Sequence, residues 1–313
     1  MSPLLPSRVD VCLLLVAAAW GSTYLVAKEL VTPDSVVALL AARMLFAAAA
    51  LGVVLGARRS RIAPREWRVG VVLGTLLAGV FTLETFGIAH TSATNAGLII
   101  SLTIVFTPLL DAATARRRPP GRFLLACTVA VVGVALLASN GELRPPALGD
   151  LLIVGAAIIR AVHVTAMHRL TPGPGWDSAH LTTVQLATCA GLFSVSTLFA
   201  GDSLPAYLSR FDVRDALLFV YLGLVCTVFA FLVQMWAVRR TSPARVSLLL
   251  GTEPVWAAVI GVALAGDRVT PIGLVGIALV LVGTAWGRSI DQRTTRTAMS
   301  RRPAVGLSRA STS

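Results

Sequence analysis

Four ionisable side chains lie inside long apolar segments of the sequence: Glu84, Glu253, Arg43 and Arg160. If these segments cross a membrane, each charge costs roughly 2.5–3.5 kcal/mol to insert and requires a reason. A carboxyl group at that depth can bind and release a coupling proton, and a guanidinium can attract an anionic solute. Alternatively, the carboxyl groups are protonated and hydrogen-bonded between helices, or the arginines pair with them and hold the helices together.

Aromatic and uncharged polar residues surround these charges in the sequence. Trp20 and Tyr24 are four residues apart, so they share one face of a helix. An aromatic pair that faces Arg160 would suit a zwitterionic or aromatic solute; simple aromatic packing is the alternative. Including the charges, the candidate substrate-binding residues are Trp20, Thr23, Tyr24, Arg43, Glu84, Asn95, Arg160, Gln234, Glu253 and Trp256, and the candidates for proton coupling are Glu84 and Glu253.

Three further polar residues within apolar segments, Thr103, His163 and Gln185, add to this outline. For His163, a proton relay and a plain interhelical hydrogen bond are both open. The four cysteines show no CxxC spacing and no His/Cys cluster accompanies them, which predicts neither a metal site nor a cofactor. The absence of HExxH and GxSxG motifs argues against a membrane-embedded enzyme, and the absence of GxxxxGK[ST] argues against an ATP-driven pump.

Composition shows what kind of element must position these residues. The chain has 313 residues, of which 56% are apolar and only 13% are charged, against about 45–50% and about 25% in soluble domains. Too few charges are present to cover a soluble protein, so much of the apolar surface must face lipid. The net charge of +12 resides in arginines that cluster between apolar segments, which is typical of membrane proteins and makes nucleic acid a poor partner.

A membrane-spanning helix needs about 20 predominantly apolar residues. The sequence contains ten such segments, at 9–30, 35–56, 67–89, 93–114, 122–139, 148–169, 179–200, 214–238, 243–265 and 270–287. Of the 27 basic residues, 20 lie in one set of alternate connections and 5 in the other. Because basic residues favour the cytoplasmic side, both termini are predicted to be cytoplasmic.

The sequence also contains a weak internal repeat. At an offset of 150 residues, Phe81 matches Phe231 and Thr91-Ser92 matches Thr241-Ser242; Gln234 falls opposite Glu84, and Thr103 opposite Glu253. The charges of the connections are reversed between the copies, since the basic run 116–118 corresponds to the neutral 266–268. Two five-helix repeats of inverted orientation are the arrangement of secondary transporters, in which the substrate site lies between the repeats.

Several short motifs carry a family resemblance: Trp20-Gly21-Ser22-Thr23, Arg43, residues 91–96, Leu222-Gly223, Ser242-Pro243-Ala244-Arg245, Glu253-Pro254 and the turn at 266–271. In their order and spacing they resemble the EamA-like family of the drug/metabolite transporter superfamily. The resemblance implies an all-α membrane protein with ten helices, location in the cell (inner or plasma) membrane and transport of small metabolites, often by export. It does not fix the substrate.

The predicted organisation is therefore a first repeat at 9–139, a second repeat at 148–287, and a basic tail at 288–313 that is expected to be disordered. Predicted partners are a small-molecule substrate and the lipid bilayer. The pairs Gly52/Gly56, Gly70/Gly74 and Gly283/Gly287 have a spacing that lets helices approach closely, within one chain or between the copies of a homodimer. A membrane-embedded enzyme or a non-transporting sensor remains the alternative to a metabolite exporter.

Overall fold

The computed structural model describes residues 7–31, 34–90, 99–116, 118–138, 148–199, 203–260, 263 and 270–300, with the backbone alone at 24, 25, 28, 88, 89, 137, 138 and 291–300. Within these ranges the regular structure is helical and contains no strand. The helices are α1 (Arg8–Leu30), α2 (Val36–Ala57), α3 (Pro64–His90), α4 (Thr103–Thr114), α5 (Gly121–Ala138), α6 (Leu148–Leu170), α7 (Ser178–Ser196), α8 (Leu204–Leu208), α9 (Val213–Gly223), α10 (Ala230–Val238), α11 (Pro243–Leu250), α12 (Glu253–Ile260) and α13 (Pro271–Ser300).

Five helical stretches in the described part are long and apolar enough to cross a membrane. They are Val36–Ala57, Pro64–Gly87, Leu148–Leu170, Val213–Val238 and Pro271–Ile290. Two shorter apolar helices, Thr103–Thr114 and Gly121–Leu136, accompany them. The architecture is therefore that of an all-helical membrane protein.

The helices begin where the sequence provides capping residues. Ser7 and Asp10 form a reciprocal capping box at the start of α1, with Asp10 N to Ser7 Oγ at 3.2 Å and Ser7 N to Asp10 Oδ2 at 2.9 Å. Asp212 and Asp215 do the same for α9. Pro64 is the first residue of α3, a position where the missing N–H of proline costs nothing.

Three of the predicted spans are not regular α-helices. The segment predicted at 93–114 has a turn at 101–102 before α4 begins. The segment predicted at 243–265 is interrupted after α11 and resumes at Glu253 in α12, because Pro254 has no N–H to donate to the preceding turn. The segment predicted at 214–238 contains a π-helical stretch, Leu224–Phe229, between α9 and α10. Breaks of this kind free backbone carbonyls inside the protein, where side chains can reach them.

The tail from residue 288 onward is expected to be disordered, and the structure continues α13 through its first part, to Ser300. Residues 288–300 contain no proline or glycine, and extending an existing helix adds one hydrogen bond for each residue fixed. The rest of the tail, 301–313, lies outside the described residues.

Close packing of α5 on α13 depends on glycine. A Cβ atom at Gly133 would lie 2.6 Å from the backbone N of Val280, and one at Gly283 would lie 2.7 Å from the backbone N of Ala130. The glycines at these two positions therefore let the helix backbones touch inside one chain.

The other glycine pairs differ from one another. Gly70 and Gly74 let α3 lie against α7, since a Cβ atom at Gly74 would be 2.7 Å from the carbonyl O of Gln185. The packing role expected for Gly52 and Gly56 is not found among the described residues, because a Cβ atom at either would meet none of their atoms within 4 Å.

The two halves of the chain share one core. Its largest cluster takes Leu13, Met44 and Leu73 from the first half and Met167 and Met235 from the second. Polar contacts also cross between the halves: Asp10 is fully buried and accepts from Arg245 Nη2 at 2.6 and 2.7 Å. This shared core places residues from both halves around one central region.

Candidate functional site

Three charged side chains predicted from the sequence meet in the interior. Arg160 Nη2 lies 3.8 Å from Glu84 Oε2, and Arg160 Nη1 lies 3.7 Å from Glu253 Oε2. The guanidinium also lies over the ring of Trp20, 5.0 Å from its centroid. One arginine thus bridges a carboxylate of the first half and a carboxylate of the second, with an aromatic face beside it.

The break between α11 and α12 positions Glu253, which is the first residue of α12. Trp20 comes close to it because α1 packs on α12 at Gly21. A Cβ atom at Gly21 would lie 2.8 Å from Ala257 N and 2.9 Å from the Glu253 carbonyl O. The glycine that follows Trp20 therefore lets the indole reach the site.

The π-helical stretch fixes the orientation of Trp20. Its indole Nε1 donates to the carbonyl of Cys226 at 3.0 Å, and its ring packs on Phe231 with centroids 5.4 Å apart. The extra residue of a π turn frees carbonyls from the regular helical ladder, which makes Cys226 O available as an acceptor. Sequence reasoning missed this anchor, because nothing in the apolar run 224–229 distinguishes a π turn from an α-helix.

Arg43 binds the same stretch and lies behind the site. Its Nε donates to Thr227 Oγ1 at 2.6 Å and its Nη2 donates to Cys226 O at 3.4 Å, while Phe81 covers the guanidinium at 5.4 Å. Arg43 is buried, with 6% of its surface exposed. It belongs to the layer that supports Trp20 and Phe81 and does not line the two cavities described next.

Two small cavities flank Arg160. One is lined by Glu253 and Thr103 among others, the other by Glu84, Phe81 and His163, and both are lined by Trp20, Arg160 and Gln234. Gln234 is 1% exposed, and its Oε1 has no hydrogen-bond partner among the described residues. An unpaired buried acceptor is costly, so it marks a position where a donor can bind.

The remaining candidates make other contacts or lie outside the described residues. His163 Nε2 and Gln185 Oε1 are 2.9 Å apart in the interior. Thr23 donates to Ala19 O of its own helix at 3.2 Å, and Trp256 packs against the shared core; neither lines the two cavities. Asn95 and the side chain of Tyr24 lie outside the described residues.

Comparison with known proteins decides the family. A sequence model of the EamA-like transporter family matches residues 7–139 and 147–286, one match in each half of the chain. This chain belongs to the EamA-like transporter family. The resemblance noted in the short motifs is thereby confirmed, and the protein is an integral membrane transporter.

Relatives of this EamA-like transporter agree with that assignment. A probable terminal-alkyne amino-acid exporter of Streptantibioticus cattleyicolor is 27% identical over 284 residues, covering 88% of this chain and 92% of the relative. The uncharacterized inner membrane transporter YedA of Escherichia coli K12 is 24% identical, covering 84% and 86%. A solved structure titled "Crystal structure of protein" has the same fold, with a TM-score of 0.74 and 19% identity, over 93% of this chain and 99% of that one.

Proposed function

We propose that this protein is a secondary transporter that exports a small organic metabolite, amino acid-like or drug-like, by alternating access. The observation that carries the proposal is the position of Arg160 between Glu84 and Glu253, one carboxylate from each family repeat. Groups drawn from both repeats can be exposed to one side of the membrane and then the other as the repeats exchange conformations. The relative named as an amino-acid exporter supports both the direction and the substrate class.

The proposal includes ten spanning helices in two inverted repeats of five, with both termini in the cytoplasm and the membrane of residence being the cell membrane. The division of basic residues between the two sets of connections supports this orientation. The break before Glu253 supports the site, since discontinuous helices near the repeat interface form substrate sites in such transporters.

Counterflow in proteoliposomes tests transport directly. Vesicles that contain the protein are loaded with an unlabelled solute, and the entry of the same solute in labelled form is followed. We expect transient accumulation of at least one amino acid or related metabolite, because exchange across the membrane requires only alternating access. Vesicles without protein are the control, and a panel in which no solute accumulates above that control contradicts the proposal.

Cysteine accessibility tests the orientation. Ser60 and Ser203 are both exposed and fall in connections assigned to opposite sides. Cys127, Cys189 and Cys226 are buried, so replacing Cys12 alone gives a background with little labelling. In intact cells, an impermeant maleimide is expected to label the Ser203→Cys variant, while the Ser60→Cys variant is labelled only after the membrane is opened. Labelling of both from the same side would overturn the orientation.

A further inference from the structure

The cavities beside Arg160 are too small for a metabolite. One has a volume of about 20 Å³ and the other of about 10 Å³. A single water molecule needs a cavity of roughly 10–15 Å³, so the larger cavity has room for one or two waters and the smaller for one at most. A solute can therefore bind only if the walls of the cavities move, and the Arg160 side chain is part of the wall of both.

The groups around the Arg160 guanidinium are those that recognise a cation. Glu84 and Glu253 approach it at 3.8 and 3.7 Å, and the face of Trp20 lies beneath it. Gln234 adds a buried carbonyl oxygen with no partner among the described residues. Among the described residues that line the two cavities, Arg160 is the only arginine or lysine.

The formal charge of the cluster also favours a cation. When both carboxyl groups are ionised, Glu84, Glu253 and Arg160 together carry a charge of −1. An ammonium that takes the place of the guanidinium keeps the charge at −1, whereas an anion in that place would bring it to −3 in a region of low dielectric constant. An ammonium group has three donors, which matches the acceptors of Glu84, Glu253 and Gln234.

We propose that Arg160 holds the cation position of the empty site, and that the primary amine of the substrate displaces its guanidinium. This inference rests on the proposed transport function and names its substrate class: a small solute that bears a primary amine beside an apolar group. Displacement of the side chain joins the two cavities, and the Trp20 face receives the amine. Arg160 is then a specificity-determining residue that competes with the substrate.

Three compounds with the same side chain distinguish recognition of the substrate amine from recognition of its carboxylate. L-Phenylalaninamide carries an amine without a carboxylate, N-acetyl-L-phenylalanine carries a carboxylate without an amine, and L-phenylalanine carries both. Counterflow of each is measured with the unaltered protein and with the Arg160→Gln variant. The matched control is Arg169→Gln on the same helix, since Arg169 pairs with Asp111 at 3.5 Å and does not line these cavities.

We expect the unaltered protein to exchange L-phenylalaninamide and not N-acetyl-L-phenylalanine. Removal of the competing guanidinium in Arg160→Gln is expected to lower the half-saturating concentration of L-phenylalaninamide by about tenfold. Arg160→Lys keeps a competing charge and should lower the half-saturating concentration less than Arg160→Gln does, whereas Arg169→Gln should remain within about twofold of the unaltered protein. Calorimetric titration of L-phenylalaninamide into detergent-solubilised protein gives the affinity even where a variant no longer turns over.

Several outcomes overturn the inference without touching the proposed function. One is a higher or unchanged half-saturating concentration of L-phenylalaninamide in Arg160→Gln. Another is exchange of N-acetyl-L-phenylalanine that Arg160→Gln abolishes, which would make Arg160 a ligand of the substrate carboxylate. A third is exchange of other solutes by a protein that accepts neither amine-bearing compound. Failure of the whole counterflow panel, by contrast, would remove the transport function itself.

Discussion

Replacement of Glu84 or Glu253 by glutamine is expected to abolish solute movement driven by a pH gradient and to leave the protein folded. Glutamine keeps the size of the side chain and one acceptor oxygen but cannot bind and release a proton near neutral pH. Each carboxylate lies within 4 Å of Arg160, so the proton and the positive charges in the site compete for the same oxygens. A variant that lacks the carboxylate to which the coupling proton binds therefore cannot couple transport to a pH gradient.

The measurement compares two modes of transport in the same proteoliposomes. With the solute that counterflow identifies, pH-gradient-driven movement is expected to fall to the level of protein-free vesicles, while counterflow at saturating solute continues. Glu29→Gln is the matched control, because Glu29 is exposed and pairs with Arg214 away from the site. Full pH-driven transport in both Glu84→Gln and Glu253→Gln would remove the carboxylates from the coupling mechanism.

Most of the helix bounds were predictable from the sequence, because apolar length, proline and charge mark them. The predicted segments 9–30, 35–56 and 148–169 agree within a residue at each end with Arg8–Leu30, Val36–Ala57 and Leu148–Leu170. The helical extension after residue 287 was not predicted, since polar composition alone does not distinguish a disordered tail from a continuing helix.

The centre of the site was also predictable, since a charge in an apolar segment requires a partner. Glu84, Arg160 and Glu253 form one cluster with Trp20, and Gln234 lies beside it, as their repeat positions suggested. Whether a given side chain reaches the cavities was harder to predict. In a soluble protein, the contrast between the polar and apolar faces of a helix shows which residues point inward. Here both the lipid-facing and the core-facing sides of a helix are apolar.

The absence of this contrast explains why the position of the Arg43 side chain could not be predicted. The sequence places it in an apolar helix and cannot say whether its side chain reaches the cavity or the layer behind it. In the structure it points to Thr227 and Cys226 of the π-helical stretch, and Phe81 separates it from the cavities. The site is thus built in two layers, and the first half of the chain supplies Trp20 to one layer and Arg43 to the other.

The second large effect concerns the contact that holds α5 against α13. Substitution of Gly283 by leucine is expected to destabilise the protein. Even a Cβ atom there would lie 2.7 Å from the backbone N of Ala130 and 2.8 Å from the carbonyl O of Ala126. Backbone atoms cannot rotate away as a flexible side chain can, so the helices must separate. Overpacking of this kind costs about 1–3 kcal/mol and occasionally more.

Gly52→Leu is the matched control for this prediction, because a Cβ atom at Gly52 would meet no atom of the part of the chain that the structure describes within 4 Å. Leucine is a better helix former than glycine, and both variants gain this difference. The difference between them therefore isolates the α5–α13 contact. In detergent, the midpoint of thermal unfolding of Gly283→Leu is expected to lie roughly 3–9 °C below that of Gly52→Leu, at about 3 °C for each kcal/mol in a large chain. The midpoint of Gly52→Leu is expected to stay level or rise. Equal midpoints for the two variants would mean that α5 and α13 do not pack through this glycine in the folded protein.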